Sequence, residues 1–127
     1  LALNSGTISD ASGNNATLAH SSVANNLSFM VDTTAPTLAQ VTAVAPLNSL
    51  TPTYTFSSNE AGTITYAGAC SSTTTSASVD NNTITLATLS DGTTYDDCTT
   101  TVTDTAGNIS DTLTITQFAI CTNPKEC

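Results

Sequence analysis

Side chains able to do chemistry are scarce in this chain, and their spacing does not favour catalysis. His20 is the one imidazole and Lys125 the one amine, and arginine is absent. A nucleophilic triad or a cysteine–histidine pair needs an imidazole beside the nucleophile, and His20 lies in a polar stretch. Asp96 and Asp97 are adjacent, so on a strand they point to opposite faces. Two carboxylates placed that way do not flank one glycosidic bond. No catalytic residue is assigned, and the chain reads as non-enzymatic.

Cysteines and acids remain. Cys70, Cys98, Cys121 and Cys127 form an even set with no C-x-x-C spacing, and one histidine cannot complete a zinc site with them at any usual spacing. Disulfides are the better reading, which points to an oxidising compartment and a secreted or cell-surface protein. Ten acids against one basic residue give a net charge of −9. That balance repels nucleic acid and anionic membranes and attracts divalent cations. No apolar run approaches the ~20 residues of a membrane span. The start has no signal-peptide pattern, so a secretion signal is expected upstream of Leu1 or already removed.

Calcium is the ligand these acids could serve, because it takes several oxygen donors at once. Two D-x-x-G-N turns, Asp10 to Asn14 and Asp104 to Asn108, each combine a carboxylate, an amide and a bend that glycine permits. Asp32, Asp91, Asp96 and Asp97 add further carboxylates. The opposing reading is that D-G and G-N are simply turn formers. Asn15, Asn26, Asn81 and Asn108 head N-x-[ST] sequons. In a chain this rich in Asn, Ser and Thr several arise by chance, so no function is read from them.

These residues need elements to position them. Apolar residues make up 39% of the chain and aromatic residues 5%, with no tryptophan, so a core must come from Val, Ile, Leu, Ala and a few rings. Period-2 alternation recurs along the chain. It marks an entry strand from Leu38 to Val44, then Tyr54 and Phe56, Ile64 and Tyr66, a weak stretch with Ala77 and Val79 pointing one way, Ile84 and Leu86, Tyr95 to Asp104, and Leu113 with Ile115. That gives about seven short strands, the count and rhythm of an immunoglobulin-like Greek-key sandwich.

In that fold the third and sixth strands are antiparallel neighbours, which puts Cys70 at the end of one beside Cys98 at the start of the other. A Cys70–Cys98 bond is therefore expected, leaving Cys121 to pair with Cys127. Closing a loop of about 28 residues is worth on the order of 3–4 kcal/mol in the chain-entropy model. Tyr95 breaks the parity of Cys98, which predicts a bulge near Asp96–Asp97. Its position also suits a tyrosine corner, with the phenol oxygen bonded back to the Ser90-Asp91-Gly92 turn. The acids should then gather at the two poles: Asp32, Asp104 and Asn108 at one, Asp91, Asp96 and Asp97 at the other.

The first 33 residues do not read as a second full domain. Thr7-Ile8-Ser9-Asp10-Ala11-Ser12-Gly13-Asn14 returns as Thr101-Val102-Thr103-Asp104-Thr105-Ala106-Gly107-Asn108. Residues 1–33 are thus the last two strands of a preceding repeat, residues 34–120 the main domain, and 121–127 a cysteine-bearing tail. Such a repeat signals a tandem array. Two strands cannot fold alone, so the segment is expected to stand away from the main sandwich and pack on a neighbouring copy or on upstream sequence.

The linker Val31-Asp32-Thr33-Thr34-Ala35-Pro36, the segment Leu89 to Tyr95, the segment Thr101 to Ser110 and the earlier Ser5 to Leu18 together resemble the bacterial Ig-like repeat families of large surface proteins and adhesins. The resemblance runs to about Ile120 and excludes the tail. It implies a non-catalytic extracellular stalk, spacer or adhesive module, often with calcium between domains, whose partners are neighbouring repeats or copies of itself. The other expectation kept open is a self-assembling filament subunit whose residues 1–33 add strands to the next subunit.

Overall fold

A computed structural model describes residues 9–15 and 31–123 of the 127-residue chain. The chain divides into two compact units, Leu1–Met30 and Val31–Cys127. The expected packing of residues 1–33 turns on positions 1–8 and 16–30, which lie outside the described residues, as do His20, Asn26, Lys125 and Cys127.

The second unit is an all-β sandwich. Its elements are β1 (Leu38–Ala45), β2 (Thr53–Ser58), β3 (Gly62–Ala67), β4 (Ser76–Ala77), β5 (Asp80–Thr85), β6 (Thr94–Tyr95), β7 (Thr99–Thr103), β8 (Leu113–Thr114) and β9 (Phe118–Ala119). One sheet runs β1-β2-β5, a second runs β4-β3-β7-β8, and β6 pairs with β9. Every pairing is antiparallel.

Alternation makes these strands because it gives each one an apolar face. In β2, Tyr54 and Phe56 turn inward; in β5, Ile84 does; in the second sheet, Ile64 and Val102 meet them from the other side. All five are at most 3% exposed. Full burial of each aliphatic or aromatic side chain contributes roughly 1.5–3 kcal/mol. The Tyr54 phenol cannot be buried without a polar partner, and it finds Thr100 Oγ1 of β7 at 2.7 Å, linking the two sheets through the core.

Several expectations hold in detail. β3 and β7 are neighbours with Ala67 opposite Thr99, and just beyond that pair Cys70 and Cys98 form a disulfide with Cα atoms 5.2 Å apart. Cys121 is also disulfide-bonded; its expected partner Cys127 falls outside the described residues. The tyrosine corner is present: the Ser90 backbone N–H donates to the Tyr95 phenol oxygen at 2.7 Å.

Other expectations need correction. The strand read from Tyr95 to Asp104 is two strands, not one with a bulge. Tyr95 in β6 pairs with Phe118 of β9, residues 96–98 lie outside either strand, and β7 then joins β3. The parity break at Asp96–Asp97 is a change of pairing partner. Stacking of Tyr95 on Phe118, with centroids 5.2 Å apart, gives β6 a reason to leave the sheet. Ala77 and Val79 do not share a face: Ala77 is buried while Val79 is 55% exposed. β5 opens on Asp80 at φ 77°, a left-handed conformation that reverses the chain just after Val79.

Candidate functional site

The pairing register fixes which loops meet. Ser58 ends β2, Gly62 begins β3, and Thr63 lies opposite Thr103 at the end of β7. The turn holding Glu60 and the turn after β7 therefore share one pole of the sandwich. The linker reaches the same pole, because Asn108 Nδ2 donates to the backbone oxygen of Asp32 at 3.2 Å.

Asp104 organises this pole. Its Oδ1 accepts the backbone N–H groups of Ala106, Gly107 and Asn108 at 2.7–2.8 Å. Its Oδ2 accepts Asn108 Nδ2 at 2.8 Å. Gly107, at φ 97°, supplies the left-handed bend that aims those donors inward. Burial is the largest single influence on the Asp104 carboxyl and pushes its pKa up. The donors together outweigh it, Asn108's side chain foremost, and hold the carboxyl below its ordinary value.

Three carboxylates converge here. One oxygen from each of Asp32, Glu60 and Asp104 lies within 4.8 Å of the others. Oxygens on opposite sides of one calcium ion stand about 5 Å apart, twice the 2.3–2.6 Å bond, so the spacing fits a shared ion. Left alone, three like charges at that distance repel. Glu60 is the residue that reading the sequence missed. Its signal was positional, since the Asn59-Glu60-Ala61-Gly62 turn sits at the same end as the Asp104 turn. A cavity of about 310 Å³ opens beside Asp104, lined in part by Gly62, Ser76 and Thr103.

The remaining expected ligands lie elsewhere. Asp91 sits at the opposite pole, where its carboxylate accepts the Thr122 backbone N–H at 2.8 Å, the Thr122 hydroxyl, and the Gly92 N–H at 3.0 Å. Donation by the Thr122 hydroxyl is the main cause holding Asp91 below the ordinary carboxyl value. Asp97 Oδ1 accepts the Ala69 N–H at 3.1 Å, beside the disulfide. Asp96 is exposed. Among the described residues, Asp91, Asp96 and Asp97 join no group of three converging carboxylates.

Asp10 and Asn14, in the first unit, form a turn of their own that copies the Asp104 turn. Asp10 Oδ1 accepts the N–H groups of Ser12 and Asn14 at 2.9 Å, and Oδ2 accepts Asn14 Nδ2 at 2.9 Å. Gly13 is left-handed at φ 83°. A β-bridge closes each turn, Ser9 with Asn15 and Thr103 with Ile109. Asn14 is the chief cause holding the Asp10 carboxyl below its ordinary value. The repeated sequence is thus a repeated structure.

Compared with known proteins, the chain matches no protein-family model, no curated protein and no solved structure.

Proposed function

We propose that this chain is a non-catalytic, immunoglobulin-like structural or adhesive module from a tandem array on a bacterial cell-surface protein, with calcium binding where successive repeats meet. The duplicated turn carries this reading. Two copies of one hydrogen-bonded device, 94 residues apart in the sequence, are what a chain cut from consecutive repeats contains.

Three further features support it. The linker meets Asn108 at one pole, while Thr122 is held by Asp91 at the other. A chain entering at one end and leaving at the other extends an array rather than folding it back. The disulfide between neighbouring strands suits an oxidising, extracellular compartment. The Asp32–Glu60–Asp104 carboxylates offer calcium hard oxygen donors at the pole where the linker arrives.

Sedimentation of the purified chain, with calcium and after chelation, tests the proposal. A monomer in both conditions, more heat-stable with calcium, is the expected result. Fibres that disappear when residues 1–33 are deleted would instead make the protein a filament subunit.

A further inference from the structure

We infer that Asn81 is a glycosylation site, its side-chain nitrogen carrying a sugar that covers the open edge of β5. The inference goes beyond the function proposed above and rests on β5 itself.

The edge follows from the hydrogen-bond phase of the β2–β5 pair. Leu86 N donates to Pro52 O at 2.9 Å. Antiparallel pairs alternate between bonded and non-bonded positions, so Ile84 and Asn82 bond β2, while Asn81, Thr83 and Thr85 turn their backbone groups away from it. At the far end those groups are met: Ser72 Oγ donates to Thr85 O at 2.7 Å, and Ala87 N donates to Ser71 O at 2.8 Å. Between Asn81 and Thr83 the edge stays open to solvent.

An open edge is a template for unwanted pairing, and proteins guard it with lysine, proline, a bulge or a covering group. β5 has no lysine and no proline, its one charged residue, Asp80, stands at its first position, and its register with β2 is unbroken. β1, at the other edge of the same sheet, is interrupted by two register shifts. It is also clasped by Gln40 Oε1, which accepts the Thr116 N–H at 2.9 Å and its hydroxyl at 3.0 Å.

Asn81-Asn82-Thr83 is a sequon on that unguarded stretch. The three described sequon asparagines differ in how free they are. Asn108 Nδ2 is committed to Asp104 and Asp32, so a sugar there would break the turn. The Asn15 amide oxygen accepts Ser9 Oγ at 2.8 Å. Asn81 is exposed and its side chain makes no hydrogen bond. Its neighbour Asn82 is buried and holds the preceding turn through Ser78 and Asp80. A bulky, solvated group at Asn81 costs the fold nothing and shields the edge.

In the transfer, Asn81 Nδ2 attacks C1 of an activated sugar. The N–C1 bond forms, the C1–O bond breaks with its electron pair leaving on a phosphate-bearing carrier, and one amide proton is released. The donor is either a nucleotide-linked hexose or a lipid-diphosphate-linked oligosaccharide. Added mass distinguishes them, one hexose against several sugars.

The test is mass spectrometry of the protein isolated from the cells that make it. After reduction of the Cys70–Cys98 bond, chymotrypsin releases a peptide spanning residues 67–86. That peptide should be heavier by a sugar placed on Asn81, in most of the molecules. Thr83→Ala should abolish the added mass and Thr83→Ser should keep it, and neither reading requires the variant to be folded. A 67–86 peptide at its unmodified mass, or a sugar retained in Thr83→Ala, overturns the inference.

Discussion

The two poles of the sandwich use acidic residues in opposite ways. At the pole reached by the C-terminal segment, acids are consumed locally: Asp91 binds Thr122 and Gly92, Asp97 binds Ala69, and the Cys70–Cys98 bond ties the strand ends covalently. At the pole reached by the linker, Asp104 is also saturated with donors, yet Asp32 and Glu60 bring two more carboxylates against it. One residue type closes loops at the first pole and crowds charge at the second. Crowded charge needs a counter-ion, and closed loops do not.

The largest effect that would sharpen this contrast comes from the covalent pole. Replacing Cys70 and Cys98 together by alanine should cost on the order of 3–4 kcal/mol of stability, read by chemical denaturation. A change below 1 kcal/mol would place the strength of this pole in its hydrogen bonds.

Calcium should act next, and at the opposite pole alone. At ~100 times its dissociation constant it should add about 2.7 kcal/mol, seen as a higher melting temperature that chelation reverses. Glu60→Gln should shrink that gain and Asp91→Asn should leave it intact. Equal losses in both variants would erase the distinction between the poles.

Tyr95→Phe probes the loop-closing side more finely. It removes the acceptor for the Ser90 N–H and should cost about 1–2 kcal/mol, with calcium response unchanged. A Tyr95→Phe variant as stable as the parent would show that water replaces the phenol.

Acid should give the smallest effect. Asp91 and Asp104 both have carboxyls held below their ordinary value of 3.8. A lowered folded pKa stabilises above the unfolded value, and that stability disappears as pH falls through the folded pKa. Stability should therefore be flat above about pH 5 and fall below about pH 4. Asp91→Asn should flatten that fall by its share without moving the neutral-pH calcium response.

Reading residues alone located most of the strands, the tyrosine corner and the duplicated turn, because each depends on neighbours or on a short repeated pattern, and the Cys70–Cys98 bond followed from the strand order that a seven-strand sandwich implies. Alternation is visible wherever one face of a strand is buried, as at Tyr54 and Phe56. A D-x-x-G-N turn is a closed local device, since the aspartate, the asparagine and the left-handed glycine all lie within five residues.

What escaped the sequence depended on distant partners. Periodicity cannot show that Tyr95 leaves β7 to stack on Phe118, twenty-three residues on, or that Phe118–Ala119 forms a strand at all. Val79 is the exception, with a local cause that alternation does not register: the left-handed residue Asp80 is held by Asn82, two residues on, and turns Val79 outward. Glu60 looked like an ordinary turn residue until the register of β3 against β7 set it beside Asp104 and Asp32. The sequence by itself determined the pieces: an all-β chain, its alternating faces, its cysteine pair and its repeated turn. Tertiary structure alone decided that β6 pairs with β9 and that Glu60 joins Asp32 and Asp104, because those contacts join residues whose separation along the chain carries no local signal.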